Sequence, residues 1–305
     1  MCVGFWSLEH PDYALILCAN RDEFLARPTT AAHWHRFETG PAAAEEDPAG
    51  NVLSGRDLRA GGTWLGASRA GRVAFLTNIT EEHRPYASTR GALASAFLLP
   101  DRPGEPMQDH LAHLLQENRA YAGFNLLLLD PRADAAQGLA YDAAYVTNHG
   151  GGGPIAARPL SDDERRCGGL SNGVDGHGAE AWPKVRLGAA MFRDELRGVT
   201  SATPEDDLVA RLFHLLTWRS DAPPRARAEL RNTIHIEPLP VTAGGEHALY
   251  GTRLSTVLLV RRDGAAAFFE RDIWVLDAAG QATRGDAAAQ RVFRFRVGSA
   301  GSPAP

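Results

Sequence analysis

Val3-Gly4-Phe5-Trp6-Ser7-Leu8 and Tyr13-Ala14-Leu15-Ile16-Leu17-Cys18-Ala19, joined by His10-Pro11-Asp12, decide the fold class of this chain. Both runs have strand length and are dense in aromatic and aliphatic residues. The Pro-Asp pair between them reads as a turn, so the chain opens on a β-hairpin. A second hairpin is predicted from residues 63–67 and 72–77 around Arg69-Ala70-Gly71. Residues 42–51, acidic and rich in Ala and Gly, read as an exposed loop. Ser88 or Thr89 is placed to cap a helix running through Leu99. A helix over 105–119 carries Met107, Leu111, Leu114 and Leu115 at helical spacing. Strands follow at 124–129, 138–143 and 168–170, then helices at 181–196 and 204–216, the latter with Thr203 as N-cap and Pro204 inside its start. Strands at 255–260, 265–270 and 273–276 complete the order. Hairpins, helices, strands, helices and strands again imply an α+β fold of antiparallel sheets flanked by helices, not alternating βαβ units. One domain is expected over 1–297, with a small flexible tail at 298–305.

Composition narrows the partners. The 305 residues are 44% hydrophobic and 23% charged, as in ordinary globular proteins. A net charge of −5 gives no basic face for nucleic acid or for an anionic membrane. Lys184 is the only lysine among 32 Lys and Arg residues, so arginine abundance reflects coding bias rather than function. Three cysteines, Cys2, Cys18 and Cys167, without CxxC spacing are neither a disulfide framework nor a zinc site, and they fit a reducing cytoplasmic setting. No signal peptide is visible, and the apolar run 13–19 is too short to span a bilayer.

Cys2 is the first candidate for chemistry. A small residue at position 2 permits removal of Met1, which leaves a free cysteine α-amine. That amine titrates near ~7.7–8.0 and the thiol near ~8.5, so one residue holds a nucleophile and a base of matched strength. Asn20-Arg21-Asp22-Glu23 closes the second strand, and antiparallel pairing returns it toward Cys2. Asp22 there would hold the Cys2 ammonium or orient a substrate amide; otherwise the cluster is a solvated turn. Gly61-Gly62 before a strand implies unusual backbone angles, with Trp64 as a pocket wall and Arg56 as a clamp for a carboxylate or phosphate. The alternative for Arg56 is a structural pair with Asp57. Asn78 and Asn172 stand at strand ends, where an amide either donates to an oxyanion or makes a turn. Arg253, entering a strand, is either a partner of the site or a surface residue. His33/His35 and His110/His113 have no metalloprotease spacing and read as loop or helix histidines.

Read in order, these pieces resemble the NRDE family, which includes the transport and Golgi organisation protein 2 homologues. The resemblance rests on Met1-Cys2, Asn20-Arg21-Asp22-Glu23-Phe24 and Arg27-Pro28-Thr29. It continues through Ser54-Gly55-Arg56-Asp57-Leu58, Gly61-Gly62-Thr63-Trp64-Leu65-Gly66, Leu76-Thr77-Asn78 and Leu170-Ser171-Asn172-Gly173. Trp182-Pro183-Lys184-Val185 and Tyr250-Gly251-Thr252-Arg253 complete it. What the resemblance implies is a four-layer αββα sandwich of two antiparallel sheets, as in N-terminal nucleophile (Ntn) hydrolases. It also implies Cys2 as nucleophile and base, Asn20 and Asp22 beside it, Asn172 as oxyanion donor and Arg253 near the nucleophile. Those enzymes end the second strand in Arg-Asn-x-Asp, whereas here Ala19 takes the arginine position and Arg21 is displaced by two. Two functional expectations follow: an amidase for a small or acyl-chain amide, needing no cofactor, or a haem-binding and haem-trafficking protein. In the second, Arg21, Arg56 or Arg253 would meet propionates. A third is an inactive interaction module.

Overall fold

The computed structural model describes all residues except 40–44, 83, 101, 103, 244–245 and 299–305. The expected tail therefore lies outside the described residues apart from Gly298, as does part of the expected loop at 42–51. The chain resolves into two compact units. One comprises Met1–Arg27, Ser161–Arg262 and Ala266–Phe293; the other comprises Pro28–Leu160, Asp263–Ala265 and Arg294–Pro305. Each is built on an antiparallel sheet with helices, the mixed α and β structure that the order of elements predicts.

The hairpin that opens the chain is β1 (Val3–Ser7) and β2 (Tyr13–Phe24), in register from Val3↔Asn20 to Ser7↔Ile16. β2 runs five residues past the apolar stretch, so Asn20-Arg21-Asp22-Glu23 lies inside a strand and not in a turn. Its first ten residues are all buried. A charged run holds that place because β12 pairs along it on one side, while β1 meets its first residue, Asn20, on the other.

The second unit begins with β3 (His33–His35), β4 (Val52–Ser54), β5 (Leu65–Ser68) and β6 (Val73–Asn78). Helices α1 (Arg90–Leu98) and α2 (Met107–Leu115) follow, then β7 (Phe124–Asp134), β8 (Gly138–Thr147) and β9 (Ala156–Pro159). These strands pair in simple sequence order. Leu93, Ala94, Phe97 and Leu98 of α1 and Met107 and Leu114 of α2 pack on Ala74, Leu76, Leu126 and Leu128. The helix predicted over 105–119 is shorter than expected because Pro106 caps its start and Gln116 its end.

The chain then returns to the first unit through α3 (Asp162–Cys167) and β10 (Gly168–Leu170), followed by α4 (Pro183–Leu196) and α5 (Glu205–Leu215). β11 (Leu239–Ala243), β12 (Glu246–Arg261), β13 (Ala265–Asp272), β14 (Trp274–Leu276), β15 (Ala282–Arg284) and β16 (Arg291–Arg296) close it. Among the described residues the sheet order is β10-β1-β2-β12-β13-β16, with β11 paired to β12. The chain's start is thus second from one edge, between β10 and the long β2. Phe192 of α4 and Leu208, Leu212 and Leu215 of α5 meet Val3, Phe5, Ile16, Cys18, Val257 and Leu259 in one core. Pro204, expected inside α5, is its N-cap instead, and Thr203 accepts from the Thr200 amide.

Candidate active site

β1 begins one residue after Cys2, and both neighbouring strands deliver side chains to that point. From β2, Asp22 is buried, and its Oδ1 accepts from Thr252 Oγ1 at 2.6 Å. Its Oδ2 lies 3.7 Å from the α-ammonium of Met1 and 3.8 Å from Lys184 Nζ. From α4, Lys184 Nζ donates to the Met1 carbonyl at 2.5 Å. From β12, the Tyr250 hydroxyl accepts from the Met1 amine and donates to the Asp22 carbonyl. From the end of β10, Ser171 Oγ donates to the Cys2 carbonyl at 2.8 Å and reaches Asn172 Oδ1 at 3.2 Å. The Cys2 thiol itself donates to the Asp22 carbonyl at 3.7 Å.

Two backbone devices make this convergence. The β10–β1 register pairs Gly4 with Leu170, which brings Ser171 and Asn172 up beside Val3 and Cys2. A bulge in β12 pairs Thr252 with Asp22 and Leu254 with Arg21, leaving Arg253 as the extra residue. Bulges of this kind re-aim a side chain. Arg253 Nη1 donates to the Arg27 carbonyl at 2.6 Å.

Burial sets the electrostatics. Desolvation, the largest cause, pulls the Met1 amine and Lys184 below their ordinary values, and the Asp22 carboxylate partly offsets this for both. Burial pushes the Cys2 thiol up, opposed first by the nearby α-ammonium. Arg253 is brought down to about 10, first by burial and then by the charge of Arg21.

The expected site residues fall into three groups. Cys2, Asp22 and Asn172 gather at the chain's start. Asn20 shares the strand of Asp22, yet its amide is spent elsewhere: Nδ2 donates to the Leu216 and Ile234 carbonyls, and Oδ1 accepts from Ser255 at 2.6 Å. Arg21 and Arg253 form a neighbouring cationic pair with Glu23, whose Oε2 is 4.0 Å from Arg21 Nη2. Arg56, Trp64 and Asn78 belong to the second unit. There Arg56 donates to the Glu38 and Gly61 carbonyls, both at 3.1 Å, and lies over the Phe37 ring. Trp64 is buried, with Gly55 seated where a Cβ would meet its ring at 2.7 Å.

Lys184, Tyr250, Thr252 and Ser171 are the residues that sequence reading passed over. Each sits in a quoted motif, and the signal for Lys184 was its uniqueness among so many arginines. The histidine pairs serve locally. His110 and His113 flank Glu105 at 3.5 and 3.4 Å, while His35 Nε2 meets Ser54 Oγ at 2.9 Å. Among the described residues no group of three or more His, Cys, Asp and Glu side chains is disposed to hold a metal ion.

A family model described as Transport and Golgi organisation 2 matches residues 1–274. The chain belongs to the Transport and Golgi organisation 2 family. A mouse relative, the Transport and Golgi organization 2 homolog, is 31% identical over 90% of this chain and 93% of its own length. The human homolog is 30% identical over 93% of this chain and 97% of its own. Among solved structures, a C2A mutant of conjugated bile acid hydrolase from Clostridium perfringens covers 97% of this chain and 98% of its own, at 9% identity and a TM-score of 0.47. A likeness that loose transfers no residue role. The motifs quoted for the resemblance fall within the matched 1–274 span. Among the described residues of this family member, no helix is long and apolar enough to cross a membrane.

Proposed function

We propose that this family member is an N-terminal-cysteine hydrolase acting on a non-peptide C–N bond of a small or acyl-chain amide. The observation that carries the reading is the convergence of the buried Asp22, Lys184 and Ser171 on residues 1 and 2, with the Cys2 thiol donating to the Asp22 carbonyl. With Met1 removed, the chain's α-amine belongs to Cys2 itself. The thiol proton passes to that amine, directly or through one water, and the sulfur attacks the acyl carbon. Asn172 Nδ2 and a backbone N–H steady the oxyanion. The C–N bond then breaks as the α-ammonium returns its proton to the leaving nitrogen. Water attacks the thioester, gives one proton to the α-amine and releases the acid; that proton goes back to sulfur. Asp22 keeps the amine oriented throughout. No cofactor enters these steps, and a cytoplasmic setting would keep the three free cysteines reduced.

Intact-mass measurement combined with iodoacetamide labelling tests this. Loss of Met1 and alkylation at Cys2 ahead of Cys18 and Cys167 are expected. A retained Met1, or a Cys2 no more reactive than the other two, refutes it.

A second reading, haem binding, is supported by one observation. Arg21 is buried and Arg253 half-buried, and they lie close enough for Arg21 to weaken the proton affinity of Arg253, a pairing that suits an anionic group such as a propionate. Haemin titration separates the two. A Soret shift that is lost in Arg21→Gln and Arg253→Gln supports haem, and no shift removes it.

A further inference from the structure

Met1 is only 5% exposed, although the first residues of a domain are ordinarily loose and solvated. Each of its three parts has partners of its own. The thioether side chain packs with the buried Leu230 and Ile236 and the half-buried Trp182, Leu239 and Tyr250. The carbonyl accepts from Lys184 Nζ. The amine donates to the Tyr250 hydroxyl and lies 3.7 Å from Asp22 Oδ2.

The walls of this place are fixed by contacts in which Met1 has no part. The Ile236 amide donates to Thr252 Oγ1 at 2.9 Å, and that hydroxyl donates to Asp22 Oδ1 at 2.6 Å, which ties an apolar wall to the carboxylate. The Tyr250 hydroxyl donates to the Asp22 carbonyl, and Ser171 Oγ holds the Cys2 carbonyl. Lys184 is carried in the first turn of α4, behind Pro183. Removal of Met1 therefore uncovers a built cavity, since packed walls relax only in part when a side chain is withdrawn. Lys184, fully buried, loses its carbonyl acceptor. Asp22 Oδ2, also buried, has no hydrogen-bond donor even with Met1 in place. Buried polar groups left in that state favour any ligand that completes them.

Resting on the reading of Cys2 as an N-terminal nucleophile, we infer that the place vacated by Met1 is the acyl-group subsite of that centre, and that it takes a small amide of an apolar α-amino acid whose amine is free. Asp22 and the Tyr250 hydroxyl receive the amino group, Lys184 receives the carbonyl, and the apolar wall takes a side chain of methionine size. Met1 and Cys2 share a peptide bond, so the carbonyl that Lys184 holds is the one beside Cys2. A separate ligand replaces that bond of ~1.33 Å by a contact of about 3.5 Å, a displacement of about 2 Å that the flexible lysine stem can follow. A retained Met1 fills the same place and closes it.

Titration calorimetry with L-methioninamide tests this on Cys2→Ala protein that begins at residue 2, released from a cleavable fusion; the alanine prevents turnover. Saturable binding is expected. N-acetyl-L-methioninamide and glycinamide should each bind at least about tenfold more weakly, the first for want of the amine and the second for want of the side chain. Lys184→Met in the same protein should also cost at least about tenfold. Cys2→Ala protein that keeps Met1, made with methionine aminopeptidase inhibited, should not bind. No saturable binding, equal binding of all three amides, or equal binding by the Met1-retaining protein overturns the inference. Where Lys184→Met does not fold, the comparison of the three amides decides without it. Because the cleaved protein starts at residue 2 whatever the cell does, the two readings fail separately. Met1 retained in the intact mass of the natural chain defeats the nucleophile reading alone; absence of binding in the cleaved protein defeats this one alone.

Discussion

Asp22→Asn isolates the charge at the centre of the site with little change in shape. Asparagine retains an oxygen for the Thr252 hydroxyl, which now donates to Oδ1 at 2.6 Å. What disappears is the negative charge that two buried amines face at 3.7 and 3.8 Å. At an effective dielectric near 20, a unit pair at that distance is worth about 4 kcal/mol. Breaking a buried ion pair by deleting one partner costs about 3–5 kcal/mol in practice, and that is the loss expected at pH 7. The pH dependence carries the sharper signature. Burial already holds Lys184 below its ordinary value, and Asp22 is the first influence opposing that shift. Without Asp22 the folded-state affinity falls further, while the unfolded lysine still titrates near ~10.4. Across the interval between the two values the unfolded chain binds more protons, so stability rises with pH, by up to about 1.4 kcal/mol per unit for one group. The deficit of the variant relative to the parent should therefore shrink between pH 7 and pH 9. Urea titrations of both proteins at the two pH values measure it. A deficit below about 1 kcal/mol at pH 7, or one that stays constant to pH 9, refutes the assignment of Asp22 as the shared counter-ion.

Other perturbations test the surroundings. A Cβ at Gly188 would lie 2.1 Å from the Phe5 ring, so Gly188→Ala should cost about 1–3 kcal/mol by overpacking, read from urea midpoints. Burial lowers His35 to about 3, so stability held above its ordinary value of 6.5 is lost as pH falls from 6.5 toward 3. His35→Gln, which retains a hydrogen-bonding partner for Ser54, should flatten that acid limb in thermal melts. Arg72 binds Asp130 at 2.9 Å, donates to the Phe97 and Glu105 carbonyls and covers the Phe97 ring. Arg72→Met should therefore destabilise by about 3 kcal/mol, and less than 1 kcal/mol in chemical denaturation would show that these contacts are redundant.

How far the fold was legible depends on whether the signal was local. The opening hairpin was, because two apolar runs of strand length and a Pro-Asp turn sit within twenty residues. α3 was not foreseen, although Ser161 and Glu164 carry the capping-box spacing and do form both of its hydrogen bonds. Six residues give too short a period to read beside that cap. The extent of β2 was misread for a different reason. Asn20-Arg21-Asp22-Glu23 has the composition of a solvated turn, and only β12, more than 200 residues later, encloses it. Charged residues are stable inside a strand when their partners come from distant segments, and local composition does not report those partners.

The site divides along the same line. Cys2, Asp22 and Asn172 were readable because chemistry names their residue types: a thiol, a carboxylate and an amide at strand ends. Lys184 was quoted within a motif and given no work, since a lone lysine on a helix is ordinarily a solvated residue. Its placement depends on facts no linear reading holds together. α4 begins at a proline, β2 continues to Phe24, and the chain's first carbonyl faces both. Once those three are joined, the choice of lysine over arginine in so arginine-rich a sequence acquires a physical reason. A compact ammonium approaches Asp22 Oδ2 while the Thr252 hydroxyl keeps Oδ1, whereas a planar guanidinium fork would compete for both oxygens. The residue type that composition makes rarest in this chain is the one the geometry requires.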